Sequence, residues 1–342
     1  QDKEHTAQAL SAILKLPKEN IFLKAQKQNS LYEVLKKSLS QKEEQEIAKV
    51  KLAGVYEGKE TVRLYPQKEL ASHVLGFVNQ EGQGQYGIEE YYNAELAGST
   101  GVRARGTNPA TYLRSLLQTN VKDGSDVVLT LDFNIQSFAE SLLKNATENF
   151  NIEEGTIIVI DPRSGKILTL ASTPSFDPNR YATRRDFSLF QNPAVQKIFE
   201  PGSVFKPITM AGALQEKKVT PETMYEDKGV LQIGGYKIYN YDNRVWGERS
   251  MREVLEFSIN TGAVFAKEQL GDDKFLEYIE KFGIFEPTGI DLPGEAYSQN
   301  RELRQGREIN LATAAFGQGV EMTPLQLFRA FTAFANGGRM AD

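Results

Sequence analysis

A serine and a lysine stand three residues apart in the segment Glu200-Pro201-Gly202-Ser203-Val204-Phe205-Lys206-Pro207. Proline is tolerated in the first turn of a helix, so Pro207 predicts a helix start near Gly202 or Ser203. Side chains at i and i+3 share one helix face, so the Lys206 amine can approach the Ser203 hydroxyl. This is the spacing of a nucleophile and its base. Ser-x-x-Lys is also a common tetrapeptide, and a Ser and a Lys opening an ordinary helix is the alternative interpretation.

A second polar cluster, Ser258-Ile259-Asn260, interrupts an apolar helical stretch between Ser250 and Leu270. Serine and asparagine compete for backbone hydrogen bonds inside helices, so we expect a break between two helices here. On such a turn the Ser258 hydroxyl and the Asn260 amide could both point into a cleft. The hydroxyl could relay a proton and the amide could bind a substrate amide. A plain helix terminus is the other interpretation.

Composition excludes several classes of chemistry. The 342 residues include no cysteine, which rules out thiol catalysis, disulfides and cysteine-ligated metal. Only two histidines exist, His5 and His73, and no Gly-x-Ser-x-Gly elbow is present, so a Ser-His-Asp triad is disfavoured. The net charge of −5 gives no support for a nucleic-acid partner. We expect neither a metal nor a cofactor.

One glycine-rich stretch imitates a nucleotide-binding motif. Gly82-Gln83-Gly84-Gln85-Tyr86-Gly87 matches the Gly-x-Gly-x-x-Gly pattern letter for letter. The acidic pair Glu89-Glu90 follows it at once, and no clear βαβ unit surrounds it, so a phosphate there would meet carboxylates. We therefore expect a glycine-rich turn.

The elements that must position these residues follow from apolar periodicity and turn residues. We expect two or three helices within residues 6–50, a strand over residues 62–66, and a helix over residues 134–149 capped by Asp132. Residues 156–160 and 166–170 flank Asp161-Pro162-Arg163-Ser164-Gly165 and predict a hairpin. Its strands are apolar on successive residues, which predicts a sheet covered on both faces.

The order of the two polar motifs is informative. Ser-x-x-Lys followed by Ser-x-Asn is the order found in β-lactamases and penicillin-binding proteins, where a Lys-Thr-Gly motif completes the set. No Lys-Thr-Gly or Lys-Ser-Gly follows Ser258. Arg163-Ser164-Gly165 has a similar composition, but it precedes Ser203 and lies in the predicted hairpin turn, so we reject it.

With these motifs, the chain resembles the class B penicillin-binding proteins, the monofunctional DD-transpeptidases of bacterial cell-wall synthesis. The resemblance covers nearly the whole chain. Besides the two motifs, the shared segments are Arg63-Leu64-Tyr65-Pro66, His73-Val74-Leu75-Gly76-Phe77-Val78, Gly87-Ile88-Glu89, Thr173-Pro174-Ser175-Phe176-Asp177-Pro178, Thr288-Gly289-Ile290-Asp291-Leu292-Pro293-Gly294-Glu295 and Phe316-Gly317-Gln318-Gly319.

The resemblance implies an α+β fold in two domains. A pedestal domain over residues 1–124 precedes a transpeptidase domain over residues 125–342, in which helices flank an antiparallel sheet as in serine β-lactamases. The C-terminal strands of that sheet and the N-terminal membrane anchor are expected to lie outside this sequence. We therefore expect the 342 residues by themselves to be weakly active or inactive.

The resemblance also implies roles for four residues. Ser203 would attack the carbonyl between the two terminal D-alanines of a peptidoglycan stem pentapeptide, and Lys206 would take its proton. Ser258 would relay the proton to the leaving group, and Asn260 would hold the peptide or the lysine. The Ser203 backbone N–H would be one oxyanion donor, and the strand carrying Lys-Thr-Gly would supply the second.

The implied setting is the outer side of the cytoplasmic membrane. An acceptor amine would resolve the acyl-enzyme, β-lactams would be covalent inhibitors, and membrane proteins of division or elongation, including a glycosyltransferase, would be partners. Two alternatives stay open: a catalytically silent scaffold, and a DD-carboxypeptidase or β-lactam-sensing domain with the same serine and lysine.

Overall fold

The computed structural model describes residues 3–28, 30, 32–37, 39–58, 62–99 and 122–341. The chain divides into two compact units, Gln1–Val62 and Arg63–Asp342.

The first unit is helical. Its helices are α1 (Lys3–Leu14), α2 (Lys18–Gln26) and α3 (Gln41–Val50). Their apolar faces meet in a small core of Ala7, Leu10, Leu14, Ile21 and Ile47. This confirms the predicted helices of residues 6–50, and Pro17 lies in the break between α1 and α2.

The second unit begins with short elements: α4 (Ser72–Leu75), β1 (Phe77–Val78), β2 (Gly84–Gln85), α5 (Gly87–Tyr91) and α6 (Asn93–Ala97). The glycine-rich stretch begins in the turn between β1 and β2, where the Asn79 N–H donates to the Gln83 carbonyl at 2.8 Å. The stretch then runs through β2 to the first residue of α5, so the predicted turn covers only its start. Gly84 packs so tightly that a Cβ there would lie 1.7 Å from the carbonyl oxygen of Glu89. The glycine is needed for this close approach between backbones.

The prediction of a strand over residues 62–66 is wrong. Residues 62–65 have no regular secondary structure, and Pro66 lies in a turn. The Tyr65 N–H donates to Oδ1 of Asn179 at 2.9 Å, and Nδ2 of Asn179 donates to the Tyr65 carbonyl at 2.8 Å. One asparagine side chain thus takes both backbone groups that a neighbouring strand would use.

A long helix and a hairpin of two longer strands come next along the chain. The helix is α7 (Phe133–Phe150), and Asp132 caps it by accepting from the N–H groups of Asn134 and Ile135. The strands β3 (Gly155–Ile160) and β4 (Ile167–Thr173) follow and pair antiparallel. Ile157 and Ala171 face α7, whereas the neighbouring pair Ile158 and Leu170 packs on the opposite side with Val195. This confirms the predicted cap, hairpin and two-sided cover.

Helices and short hairpins complete the second unit. After β4, 3₁₀ turns cover Pro178–Thr183, Phe187–Phe190, Gly202–Phe205 and Tyr241–Asn243. The other elements are α8 (Pro193–Gln196), α9 (Lys206–Gln215), β5 (Met224–Asp227), β6 (Val230–Ile233), β7 (Tyr236–Tyr239), β8 (Gly247–Ser250), α10 (Met251–Glu256), α11 (Asn260–Leu270), α12 (Asp272–Lys281), α13 (Arg301–Arg304), α14 (Glu308–Ala314) and α15 (Pro324–Ala335).

Helix α9 lies in the middle of the largest apolar core. Its residues Ile208 and Ala213 are fully buried. At Gly212 an added Cβ would come within 2.9 Å of the Leu270 side chain on α11 and 3.1 Å of the Tyr278 ring on α12. Because interiors are close-packed, this contact fixes the position of α9 and of the residues at its N-terminus.

Candidate active site

The Ser-x-x-Lys segment forms a 3₁₀ turn, Gly202–Phe205, that continues directly into α9 at Lys206. This confirms the predicted helix start near Gly202. Phe205 is fully buried and anchors the turn, whereas Ser203 is exposed. The turn therefore holds a solvent-accessible hydroxyl on a rigid base.

The amine of Lys206 lies between two hydroxyl groups. Its Nζ is 3.1 Å from Oγ of Ser203, 2.9 Å from Oγ of Ser258 and 2.5 Å from the carbonyl oxygen of Ser258. The residue is 2% exposed, and no carboxylate among the described residues lies within ion-pair distance of it. An ammonium has three N–H groups, which these three oxygens accept. A neutral amine would keep two of these bonds and could accept the Ser203 proton with its lone pair.

Burial lowers the pKa of Lys206 from 10.5 to about 8. The cause is desolvation, which penalises the charged form. A lysine with a pKa of 10.4 is neutral in about 0.04% of molecules at pH 7, whereas a pKa near 8 leaves roughly a tenth neutral. Because desolvation is the cause, no second cation is needed to leave part of the Lys206 amine neutral near pH 7.

Ser258 lies in the break between α10 and α11, as predicted. Its φ is +56°, a left-handed conformation that costs a residue other than glycine on the order of 1–3 kcal/mol. The residue after Ser258, Ile259, is fully buried, and its N–H donates to the Val254 carbonyl at 2.9 Å. The backbone is therefore held in a strained turn that aims the Ser258 hydroxyl at Lys206.

Asn260 occupies a different position from the other three residues. Its Nδ2 donates to the carbonyl of Tyr239, at the end of β7, at 2.9 Å. Among the described residues it makes no hydrogen bond to Lys206. The structure brings Ser203, Lys206 and Ser258 into direct contact and ties Asn260 to a hairpin beside them. Its contact with a peptide stays a prediction.

The loop over residues 316–319 contacts the turn that carries Ser203. The Gly202 N–H donates to the Gly317 carbonyl at 2.9 Å, and the Gly319 N–H donates to Oε1 of Glu200 at 3.1 Å. The loop is one of the segments shared with the class B penicillin-binding proteins, but its sequence predicted no role for it. The two glycines of this loop, Gly317 and Gly319, could have indicated a close approach to another part of the backbone.

The role of the Ser203 N–H as an oxyanion donor stays a prediction. The first N–H groups of a helical turn have no partner within the helix, so the Ser203 N–H can point toward a developing negative charge.

Among the described residues, no group of three or more histidine and carboxylate side chains could hold a metal ion. None of the described helices is both long and apolar enough to cross a membrane.

Two family models match the chain. The penicillin-binding protein transpeptidase domain matches residues 155–342, and the penicillin-binding protein dimerisation domain matches residues 1–129. The predicted boundary between residues 124 and 125 is not tested by these spans and stays a prediction.

Similar proteins point the same way. Stage V sporulation protein D of Bacillus subtilis is 34% identical over 99% of this chain and 54% of its own length. A probable peptidoglycan D,D-transpeptidase of Neisseria meningitidis is 32% identical over 96% of this chain and 57% of its own. A crystal structure of penicillin-binding protein 3 from Mycobacterium tuberculosis in complex with aztreonam has a TM-score of 0.72 and 29% identity, covering 81% of this chain and 59% of that one. The chain spans about half the length of the curated relatives it matches.

Proposed function

The chain belongs to the class B penicillin-binding proteins, and on that premise we propose that the whole protein is a peptidoglycan D,D-transpeptidase that β-lactams inhibit. One observation carries the proposal: the buried Lys206 amine, without a carboxylate partner among the described residues, lies between the hydroxyls of Ser203 and Ser258. This arrangement suits an acyl transfer that needs one proton removed and another delivered.

The first step forms an ester. The Ser203 oxygen attacks the carbonyl between the two terminal D-alanines while its proton passes to the neutral Lys206 amine. The Ser203 N–H stabilises the oxyanion, and the second donor belongs to the Lys-Thr-Gly strand that the resemblance implies. When the C–N bond breaks, the proton returns through Ser258 to the leaving D-alanine amine. Asn260 holds the peptide.

The second step reverses the proton path. An amine of a neighbouring stem peptide attacks the ester, gives up a proton through Ser258 and Lys206, and releases Ser203 with its proton restored. A β-lactam acylates Ser203 by the same first step, but ring opening leaves the amine attached to the acyl group. No fragment departs to make room for the acceptor, so the site stays blocked.

The proposed substrate sets the location. Peptidoglycan lies outside the cytoplasmic membrane, so we place the enzyme there, held by an N-terminal anchor. A membrane glycosyltransferase and other proteins of division or elongation would be its partners, because cross-linking needs newly made glycan strands.

Labelling of the full-length protein by a fluorescent penicillin tests the proposal. Ser203→Ala abolishes labelling, whereas Ser164→Ala, in the rejected Arg-Ser-Gly turn, labels like the wild type. Labelling that persists in Ser203→Ala contradicts the assignment of the nucleophile. A wild-type protein that is never labelled supports a silent scaffold instead.

Products separate the remaining alternatives. With a D-Ala-D-Ala pentapeptide and an acceptor amine, a transpeptidase gives the amide product together with free D-alanine. A DD-carboxypeptidase gives the shortened acid and free D-alanine, and no amide product, whether or not the amine is present.

A further inference from the structure

Asp227, at the end of β5, is a buried carboxylate that the proposed reaction does not use. It is 2% exposed, and no lysine or arginine among the described residues lies within ion-pair distance of it. Its oxygens accept hydrogen bonds from the Tyr225 hydroxyl (2.9 Å), the Gly229 N–H (2.9 Å), Nδ2 of Asn240 (2.9 and 3.0 Å), the Trp246 N–H (2.8 Å) and the Thr261 hydroxyl (2.7 Å). Neutral donors alone therefore hold this charge.

The group is ionised. Burial by itself raises the pKa of Asp227, but the hydrogen bonds, first from Thr261 and then from Gly229 and Trp246, lower it by more, so the pKa lies below its ordinary value. Removing any one of these donors costs free energy, because it weakens the hydrogen-bond network that stabilises a buried charge.

Two of these donors lie beside the proposed catalytic residues. Thr261 directly follows Asn260, and its N–H donates to Oδ1 of Asn240 at 3.2 Å. Asn240 directly follows Tyr239, whose carbonyl accepts from Asn260. Asn260 and Thr261 in the first turn of α11 thus bind Tyr239 and Asn240 at the end of β7. Asp227 accepts hydrogen bonds from the side chains of both Asn240 and Thr261.

A third donor, Trp246, contacts the residue that precedes Ser258. Trp246, whose N–H binds Asp227, stacks its ring on Phe257 with the centroids 4.8 Å apart and the planes 11° apart. Phe257 directly precedes Ser258. The strained turn that presents Ser258 is therefore held from both of its ends by groups that Asp227 binds.

We propose that Asp227 is a positioning residue for acylation, which fixes Ser258 and Asn260 relative to Lys206 through Thr261, Asn240 and Trp246. The proposal rests on the proposed function. Asp227 touches no reacting atom, and its effect is on the alignment of groups that do. A displacement on the order of 1 Å in such groups can slow a reaction about 100-fold.

The test separates rate from folding. In the full-length protein, single-turnover acylation by a fluorescent penicillin gives three quantities: the non-covalent dissociation constant, the first-order acylation constant and the fraction of Ser203 that is titrated. For Asp227→Asn, which keeps shape but puts an amide against the donors of Asn240 and Trp246, we expect the acylation constant to fall about 100-fold. The titrated fraction and the dissociation constant stay near wild type.

Two matched pairs complete the design. Thr261→Val removes the hydroxyl proton at nearly constant shape and slows acylation about 10-fold, whereas Thr261→Ser keeps the hydroxyl and restores the rate. Asp242→Asn changes an exposed carboxylate near the same hairpin, and we expect no effect on the rate.

The possible failures are distinct. If Asp227→Asn has the wild-type acylation constant, the inference is overturned. It is also overturned if the variant is labelled less only because a smaller fraction of Ser203 is titrated, since Asp227 would then have only a structural role. An equal slowing in Thr261→Ser and Thr261→Val overturns it too. If the wild-type protein is not acylated at Ser203, the proposed function itself fails.

Discussion

Gly317 lies directly against Gly202, so closely that a Cβ on Gly317 would be 2.0 Å from the Gly202 carbonyl oxygen. Its φ is +83°, and its carbonyl accepts the Gly202 N–H at 2.9 Å. The glycine thus allows a backbone contact that carries the Ser203 turn.

We expect Gly317→Ala to displace this turn and slow acylation of Ser203 by about 100-fold. Gly289→Ala is the matched control, because Gly289 also has a positive φ of +78° but nothing within 4 Å of an added Cβ. Penicillin acylation rates and melting temperatures of both variants check this. Equal rate losses in the two would assign the effect to backbone conformation alone.

The acylation rate should follow the protonation of Lys206. Since only the neutral amine accepts the Ser203 proton, the rate rises with pH from 6 and levels off above about 8, the value to which burial lowers the pKa of Lys206. Lys206→Arg carries a permanent charge and should acylate at least about 100-fold more slowly, with no rise over this range. A wild-type rate that is flat between pH 6 and 8 would contradict the role of Lys206 as base.

Substitutions at Ser258 should separate strain from chemistry. Glycine accepts a φ of +56° without strain. The free energy of unfolding, measured with urea, should therefore be about 1 kcal/mol higher for Ser258→Gly than for Ser258→Ala. Both lack the hydroxyl 2.9 Å from Lys206, and both should slow acylation about 100-fold or more. If alanine is as stable as glycine here, the strained conformation has no measurable cost.

His73 should make the second unit sensitive to acid. Burial lowers its pKa from 6.5 to about 4, opposed in part by its bond to the Leu189 carbonyl. The unfolded chain takes up a proton near pH 6.5 while the folded chain resists until about pH 4, so stability falls as pH falls through this window. The loss reaches about 3 kcal/mol near pH 4.

His73→Gln cannot take up this proton. Its stability relative to wild type should therefore improve by about 3 kcal/mol between pH 7 and pH 4. Urea unfolding followed by the fluorescence of Trp246, the only tryptophan of the chain, gives the comparison. Parallel pH curves for the two proteins would show that His73 titrates alike in both states.

Features that depend on neighbours along the chain were predictable. The contact between Ser203 and Lys206 follows from a three-residue spacing, the break at Ser258 from polar residues inside an apolar helix, and the cap at Asp132 from its position before a helix. In each case the interacting groups lie within a turn or two of each other.

Features that depend on distant pairing were not predictable. The alternating pattern of Val62-Arg63-Leu64-Tyr65 suits a strand, but the partner of Tyr65 is the side chain of Asn179, 114 positions away. Asp227 sits in Met-Tyr-Glu-Asp-Lys, which resembles a solvated edge strand, and its donors come from three later segments of the chain. Local pattern carries no information about such partners.

The antiparallel bridge between Phe199 and Met322 has a consequence for biosynthesis. The two residues flank the nucleophile turn and the loop that supports it, yet 123 positions separate them (322 − 199). A ribosome adds about 5–20 residues each second, so Ser203 is made several seconds or more before its supporting loop. During that interval the nascent chain contains Ser203 but not the loop over residues 316–319 that contacts its turn. The backbone contacts that hold the Ser203 turn can therefore form only after synthesis has passed Met322.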